Sequence, residues 1–475
     1  MNKALPDLDT ASAAGGDDVQ ESLYAKRQKV YPREVHGLFA GLRVMAVFGL
    51  LGLFYGLPWL QWDGRQAVLL DLPARKFYIF GLTLWPQDFI YLTALLVIAA
   101  LSLFFFTALA GRVWCGYACP QTVWTETFLW IEYWIEGDRM QQMKLDKSPL
   151  SWRKFRLKFT KHFLWIAFSA FTGFTFVAFF TPLHDLAHRL ASFNLGPWET
   201  FWVIFYGFAT YGNAGWMREQ VCLYMCPYAR FQSAMFDDDT LVISYDEKRG
   251  EPRGSRKRGV DSMRGGLGDC IDCQMCVQVC PTGIDIRQGL QYECIGCSAC
   301  IDVCNDVMDK MDYPRGLIRY TTQNSLRGKV SRILRPRIYI YGTLLFAAVA
   351  LLGFSLWHRL PLEMDIMRDR NQLYRETNQG LIENVYTVNI INMDDSPHTF
   401  TMSARGIDGL VLDTDQNPIA IAPETVLDVV VRLRADPAKL SKRSTKVHFT
   451  ITDPEHAQFH EDEEARFLGP APQNP

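Results

Sequence analysis

The sequence predicts a multidomain membrane protein: a bundle of five spanning helices, a small cysteine-rich domain between the fourth and fifth, and a C-terminal β-sandwich. Three observations carry this prediction. Apolar residues gather in five long blocks, so a composition that is 49% hydrophobic and 21% charged over 475 residues averages unlike segments. Eight of the twelve cysteines fall between Cys270 and Cys304. Beyond about Gly380 the apolar residues recur at every second position, the period of a strand. A chain of this length holds several domains. Its net charge of −2 gives no reason to expect nucleic acid as a partner.

The N-terminal tail, residues 1–35, is small and polar at first and then basic, with Lys26, Arg27, Lys29 and Arg33. No apolar core of a secretory signal precedes the first block. Residues 36–236 form the expected membrane domain. Its blocks are Gly41–Leu60, Phe89–Ala110, Phe163–Thr181 and Thr200–Trp216, and the fifth span is Ile338–Trp357. About 20 apolar residues cross the hydrocarbon core as a helix. The fourth block is the weakest, being short and carrying Tyr206, Tyr211 and Asn213. A buried core helix is the alternative for any single block, but Trp, Tyr and basic residues flank these blocks as they flank membrane spans.

Loop charge sets the orientation. Nine Lys and Arg lie between spans two and three and eighteen between spans four and five; three follow span one, and only Arg189 follows span three. Basic loops stay in the cytoplasm. The N-terminus and the cysteine-rich domain are therefore expected inside, and the C-terminal domain outside, in the periplasm. The expected location is the inner membrane of a Gram-negative cell, crossed several times.

Within the membrane domain, the loop Trp62–Gln87 is too apolar for a simple linker and reads as a hairpin or a re-entrant segment lying on the membrane. Thr122–Ile135 carries Trp124, Phe128, Trp130, Ile131, Trp134 and Ile135, the spacing of an amphipathic helix, either at the interface or packed on the cysteine-rich domain. Cys115-Gly-Tyr-Ala-Cys119-Pro120 follows span two, and Cys222-Leu-Tyr-Met-Cys226-Pro227 follows span four. Residues i and i+4 share a helix face, so each pair presents two thiols side by side. Proline disfavours helix at the residue before it, so each second cysteine falls at a helix end or kink.

Three readings of these pairs compete. They are buried cysteines packing as small apolar groups, a soft-metal site of four thiolates with Met225 as a further ligand, or redox dithiols cycling through disulfides. Thiolates suit Cu(I), zinc and iron–sulfur clusters, and a site that holds Cu(I) better than Cu(II) favours reduction of copper. His184-x3-His188 also has metal-ligand spacing, but a solvated helix face explains it. His36 and His162 flank spans and read as interfacial.

Residues 237–337 hold a polar, basic surface linker (237–269) and then the cysteine-rich unit, to about Met311. Its runs are Cys270-x2-Cys273-x2-Cys276-x3-Cys280-Pro281 and Cys294-x2-Cys297-x2-Cys300-x3-Cys304. This spacing wraps bacterial 4Fe-4S clusters, with the fourth cysteine of each run reaching the other cluster. The expected ligand sets are Cys270, Cys273, Cys276 and Cys304 for one cluster, and Cys294, Cys297, Cys300 and Cys280 for the other. Zinc is the rival, but it does not call for an x2-x2-x3 run used twice. Disulfides are disfavoured on the reducing side of a membrane. The unit is therefore a ferredoxin-like domain for two 4Fe-4S clusters. Arg315–Arg337 reads as a basic lead-in to span five.

Residues 358–475 are expected to be a linker and a sandwich. Tyr386, Val388 and Ile390 alternate with polar residues, as do Val447, Phe449 and Ile451; Leu427, Val429, Val431 and Leu433 recur at the same period. Turn residues separate the runs. Six or seven short strands in about 90 residues suggest the immunoglobulin type.

Taken together, the five spans, both C-x3-C-P pairs, the cluster run with Cys280-Pro-Thr-Gly-Ile-Asp-Ile-Arg287, the loop Trp62-Asp-Gly-Arg-Gln-Ala-Val-Leu-Leu-Asp-Leu-Pro and the sandwich tail resemble the cbb3-type cytochrome c oxidase accessory protein family (CcoG, FixG, RdxA). The resemblance runs from about Val30 to the end. It implies a membrane-bound iron–sulfur electron-transfer protein that reduces Cu(II) to Cu(I) and assists assembly of the oxidase. It implies further that Cys115, Cys119, Cys222 and Cys226 handle copper as substrate or ligand and are the catalytic residues. Partners implied are oxidase subunits, or copper chaperones and transporters. Asn305 stands where a proline usually follows the last cysteine, a departure from the simple pattern. Two other functions stay open: a quinol-oxidising polyferredoxin subunit, and a redox-sensing assembly scaffold without catalysis. No nucleotide-binding glycine motif occurs, so the electron donor is a separate molecule that the sequence does not name. A homodimer is left open.

Overall fold

The computed structural model of the chain describes residues 29–258, 266–440, 442–456 and 459–470. Positions 1–28 of the expected tail, and 259–265 of the expected linker, lie outside the described residues.

The first helix, α1, runs Leu38–Gly56. Gly37, at its N-cap, has no side chain to satisfy the open N–H groups of the first turn. Asp302 supplies it, accepting from Phe39 N at 3.3 Å and Ala40 N at 2.7 Å. The loop after α1 opens as a hairpin, Gln61–Trp62 paired antiparallel with Arg65–Gln66. It continues as a three-stranded antiparallel sheet of β1 (Val68–Asp71), β2 (Lys76–Ile79) and β3 (Leu82–Leu84). Its polar residues pair outward: Arg65 and Lys76 both reach Glu424 of the C-terminal domain, at 2.7 Å and 3.8 Å.

Helix α2 spans Phe89–Ala110, a short α3 Val113–Tyr117, α4 Pro120–Glu136, α5 Arg139–Lys147 and α6 Trp152–Val177. Then come α7 (Leu183–Ala191) and α8 (Pro197–Thr210). The expected amphipathic helix is α4. Its buried face carries Val123 and Phe128, and also Glu132 and Glu136, while Trp134 is exposed. After α8 the backbone slips into two π-helical stretches, Tyr211–Met217 and Val221–Met225, before α9 (Pro227–Met235).

Among the described residues, three stretches are long and apolar enough to cross a membrane: Leu38–Trp59, Pro86–Ala110 and Pro336–Trp357. Their windows are 0–11% buried inside the chain, so their Leu, Phe and Val side chains face outward, as lipid-facing residues do. These helices mark a membrane protein. The third and fourth expected spans are helices too, but less apolar ones. The first half of α6 carries Arg153, Lys154, Arg156, Lys158 and Lys161, and α8 has only 14 α-helical residues. The two cross closely at Gly173 and Gly207. A Cβ on Gly173 would lie 2.2 Å from the Val203 carbonyl oxygen, the small-residue contact typical of helix pairs in lipid.

The cysteine-rich domain begins earlier than the sequence suggested. Residues read as linker form β4 (Val242–Tyr245), whose Val242, Ile243 and Tyr245 are buried. It pairs antiparallel with β5 (Ile318–Thr321), so part of the expected lead-in to the last span also belongs here. Strands this short, with a partner on the far side of both cysteine runs, leave no local period to read. Between them lie a short α10 (Met275–Gln278) and α11 (Ala299–Met311). The last membrane helix is α12 (Pro336–Trp357), packed on α2 through Phe104–Tyr341 and Gly342–Phe105.

The C-terminal domain also starts earlier, because residues read as linker form β6 (Leu362–Arg368). The strands β7 (Ile382–Asn392), β8 (His398–Arg405), β9 (Val411–Thr414), β10 (Ile419–Ile421), β11 (Val426–Ala435), β12 (Ser444–Thr452) and β13 (His460–Leu468) follow. One sheet has the order β9-β11-β7-β6, with Arg375–Glu376 paired beside β7, and the other β10-β8-β12-β13. Tyr386, Val388, Ile390, Val431, Leu433, Val447, Phe449 and Ile451 are fully buried in the core, as their alternation predicted. No disulfide contributes: all twelve cysteines are free, and none lies in this domain.

Candidate iron–sulfur and thiol sites

The two cysteine runs fold alike. Asp272 and Gln274 in the first, and Gly296 and Ser298 at the equivalent positions of the second, take left-handed backbone angles (φ between 52° and 70°). These bends curl each run around a cavity. One cavity is lined by Cys270, Cys273, Cys276 and Cys304 with Tyr245, Met308, Leu317 and Ile318. The other, of similar size, is lined by Cys280, Cys294, Cys297 and Cys300, with Cys276 also on its wall and Ile243, Ile284 and Ile286 beside them. The fourth cysteine of each run thus lines the other run's cavity. Two equal, apolar cavities with four thiols each suit a soft iron–sulfur cluster, because thiolates buried without a metal are unstable. Burial pushes the thiols of Cys276, Cys294 and Cys304 up to about 12.

Asn305 has a structural reason. Cys304 sits inside α11, which runs on to Met311, and a proline at 305 would break that helix. The Asn305 side chain instead accepts the Gly316 N–H at 3.0 Å. Cys280, by contrast, lies just past the end of α10, where Pro281 is tolerated.

The C-x3-C-P motifs form one recurring turn. In each, the second cysteine is the extended N-cap of a helix and proline takes the first helical position: Cys119-Pro120 opens α4, and Cys226-Pro227 opens α9. The same backbone bond closes both turns, Cys119 N to Trp114 O at 2.9 Å and Cys226 N to Val221 O at 2.8 Å. Proline at that position is favoured because its missing N–H would be unpaired anyway. The four thiols lie close enough to act on one another's charge: Cys115 on Cys119 and Cys222, Cys119 on Cys226, and Cys222 on Cys226. They converge because α9 leans on the end of α2, through Thr107 Oγ1 and Tyr228 Oη at 2.5 Å.

Burial, with neighbouring thiols, pushes the Cys115 thiol up to about 12 and the Cys222 thiol up to about 11. Cys119 is also raised by burial, against the backbone N–H groups of Thr122 and Gln121. Thiols held this high are poor nucleophiles at neutral pH, which weighs against cycling dithiols. A soft cation displaces the proton and stabilises the thiolate instead. Gln232, fully buried, accepts from Cys115 Sγ at 3.5 Å and leaves its Nε2 without a partner. Met225 is exposed, at 58%. His184 and His188 are exposed on α7, as a solvated face would be, and His162 stacks on Trp216 and bonds Tyr211 at 3.0 Å.

The thiol turn rests on the second cluster run. Gly116 has no room for a side chain, since a Cβ there would lie 2.7 Å from Gly296 O and 3.0 Å from Cys297 Cα. Arg112, 7% exposed, ties three segments together. It donates to the carbonyls of Tyr292 and Cys294 on the cluster run, and to Ala229 of α9 at 2.5 Å. A small cavity is lined by Cys222, Cys297, Gln121, Glu126, Arg43, Arg218 and Glu219 among others. Arg218 takes a left-handed backbone (φ 45°) and is fixed by Glu132 at 2.7 Å and by the Gly215 carbonyl at 3.0 Å. Sequence reasoning missed Arg112, Gly116, Gln232, Arg218 and Glu132. In the sequence they read only as loop charges, a small residue and helix polarity.

Comparison with known proteins agrees with this layout. Residues 217–323 match the family described as "4Fe-4S dicluster domain", residues 92–139 the "4Fe-4S binding domain", and residues 352–470 the "IG-like fold at C-terminal of FixG". Protein RdxB of Cereibacter sphaeroides is 40% identical over 420 residues, covering 85% of this chain and 88% of RdxB. Nitrogen fixation protein FixG of Rhizobium meliloti is 35% identical over 442 residues, covering 84% and 83%. Protein RdxA of Cereibacter sphaeroides is 38% identical over 408 residues, covering 82% and 85%. A solved structure of a FixG-related protein from Vibrio parahaemolyticus is 31% identical and covers 23% of this chain and 97% of that one, with a TM-score of 0.22.

Membrane helices, two thiol-lined cavities and the dicluster match together define a membrane-bound iron–sulfur oxidoreductase. The chain belongs to the FixG/RdxA family, and the sandwich at its C-terminus is that family's own immunoglobulin-like domain.

Proposed function

We propose that the chain is a cupric reductase that supplies Cu(I) for assembly of a cbb3-type oxidase. One observation carries the reading: the four thiols of the C-x3-C-P motifs gather directly against the second cluster run, and Cys222 and Cys297 line one cavity. Cys115, Cys119, Cys222 and Cys226 hold the copper substrate. Two 4Fe-4S clusters, held by Cys270, Cys273, Cys276 and Cys304 and by Cys294, Cys297, Cys300 and Cys280, supply single electrons when bound. Cu(II) takes up one electron and stays on sulfur as Cu(I), which thiolates prefer. The partners in this reading are oxidase subunits or copper chaperones, and we take the chain to cross the inner membrane five times with its cysteines inside.

The test is anaerobic purification, counts of iron and copper per chain, and Cu(II) reduction by the dithionite-reduced protein. Replacing Cys115 and Cys119 together is expected to abolish tight Cu(I) binding and slow reduction while iron stays at roughly eight per chain. Replacing Cys273 or Cys297 with Ser is expected to lower iron toward roughly four. A second reading is favoured by the 4Fe-4S match over residues 92–139, whose only cysteines are Cys115 and Cys119. In it the four thiols hold a third cluster. Roughly twelve irons per chain, falling by four in the Cys115 and Cys119 double variant, would establish that reading and end the first.

A further inference from the structure

The C-terminal sandwich carries a group of side chains that neither reading uses. His398 opens β8, Asp453 follows β12 on the neighbouring strand, and His456 lies three residues on. Their nearest ligand atoms all lie within 4.8 Å of one another. His398 Nδ1 is 2.8 Å and His456 Nδ1 3.1 Å from the same oxygen, Asp453 Oδ2. We propose that His398, Asp453 and His456 form a binding site for one divalent transition-metal ion of the zinc or copper(II) class.

The surroundings have the features of a built site. His398 and Asp453 are buried, whereas the His456 side chain is 51% exposed and leaves a way in for the ion and for water to complete its coordination. The far nitrogen of His398, Nε2, lies 2.8 Å from Asp394 Oδ2, which also accepts from Ser396 Oγ at 2.7 Å. A ligating histidine commonly gives its other ring N–H to a carboxylate in this way, which fixes the tautomer. With that proton on Nε2, the Nδ1 lone pair faces the Asp453 carboxylate oxygen directly, and two electron pairs in such close contact need a cation between them. A proton fills the role in the free protein. A metal fills it for both histidines at once.

Asp453 is locked in position. Its Oδ1 accepts the backbone N–H groups of Glu455 at 2.8 Å and His456 at 3.3 Å, so Oδ2 stays turned to the two rings. Phe459, with its ring 4.3 Å from that of His398, closes the apolar side. Two nitrogens and one oxygen suit zinc or copper(II), with ligand bonds of about 2.0–2.2 Å. Donors in a tetrahedral site lie about 3.4 Å apart, so binding asks the two histidine nitrogens to draw back from Asp453 Oδ2, from 2.8 Å and 3.1 Å, while staying within 4.8 Å of each other.

The test uses the full-length protein in detergent micelles, with variants His456→Ala and Asp394→Asn. Zn(II) is titrated and counted per chain, and thermal melting is followed with and without it. Cu(II) is added to oxidised protein and read by paramagnetic resonance. The wild type is expected to bind one more Zn(II) per chain than His456→Ala, to melt higher with zinc where that variant does not, and to give nitrogen hyperfine structure that the variant loses. Asp394→Asn is expected to weaken zinc roughly 10–100-fold. Equal zinc stoichiometry and an equal melting response in wild type and His456→Ala would overturn the proposal and leave the group as a hydrogen-bonded clasp between strands. Neither readout depends on copper reduction at the thiols.

Discussion

Glu132 meets three cations: Arg218 at 2.7 Å, Lys161 at 3.2 Å and Lys29 at 3.3 Å. Burial alone would push this carboxyl up, but Arg218, Lys161 and Lys29 outweigh it and hold the group down to about 2. A depressed carboxyl contributes stability that is complete above its ordinary value of 4.5 and is lost as the pH falls toward 2. Glu132→Gln leaves Arg218 buried without its counter-charge and Lys161 with Glu136 alone, and is expected to cost about 3–5 kcal/mol. Thermal melting followed by helical circular dichroism checks both points. The wild type should lose stability between pH 4.5 and 2, and the variant should start lower and lose less. Gly116→Ala tests the contact with the cluster run. The added methyl meets Gly296 and Cys297, so Cu(II) reduction is expected to slow by about ten- to a hundredfold while iron per chain stays constant. Unchanged reduction would show that this contact does not position the four thiols for the proposed reduction. The cysteines themselves were legible because ligand spacing is local. Arg112 and Gly116 were not, since their roles come from contacts with the second cluster run, which is remote from them in sequence.

At the scale of elements, the C-x3-C-P turn was readable because proline dictates a helix start, and both copies obey it. The π-helical stretches that aim the second copy were not, since an i→i+5 slip leaves no period in the side chains. Such stretches often mark functional positions. Deleting Gly212, where a Cβ would meet nothing, should return the first stretch to α geometry. Everything after it would then turn by about 100°. The expected outcome is loss of tight Cu(I) binding with the ferredoxin iron retained, checked by metal counts. Retained Cu(I) binding would mean that the turn does not set the site. In the sandwich the apolar alternation gave the central strands. It missed β13, where Glu461, Asp462, Glu463 and Glu464 run together on an edge strand. Charges there suit an edge, because they discourage pairing with another chain.

Across the whole molecule, the sandwich is held to the loop after the first span by Glu424 with Arg65 and Lys76, and by Arg359 with Asp88 at 2.6 Å. Glu424→Ala is expected to speed proteolytic cleavage near Arg359 several-fold without changing iron content. Equal cleavage would show that the loop does not brace the domain. The proposed topology is checked with a cytoplasmic reporter, expected to be active after Arg258 and silent after Asn474. The opposite result at either position overturns the five-span arrangement. The cap on α1 has a consequence for biosynthesis. Phe39 and Ala40 receive their capping carboxylate from a residue more than 260 positions later. At about 5–20 residues per second the ribosome needs roughly ten to fifty seconds to reach it. The first helix to enter the bilayer is therefore among the last to be finished, and its closing turn works as a checkpoint: it can be completed only on a chain whose cysteine domain has been synthesised and folded.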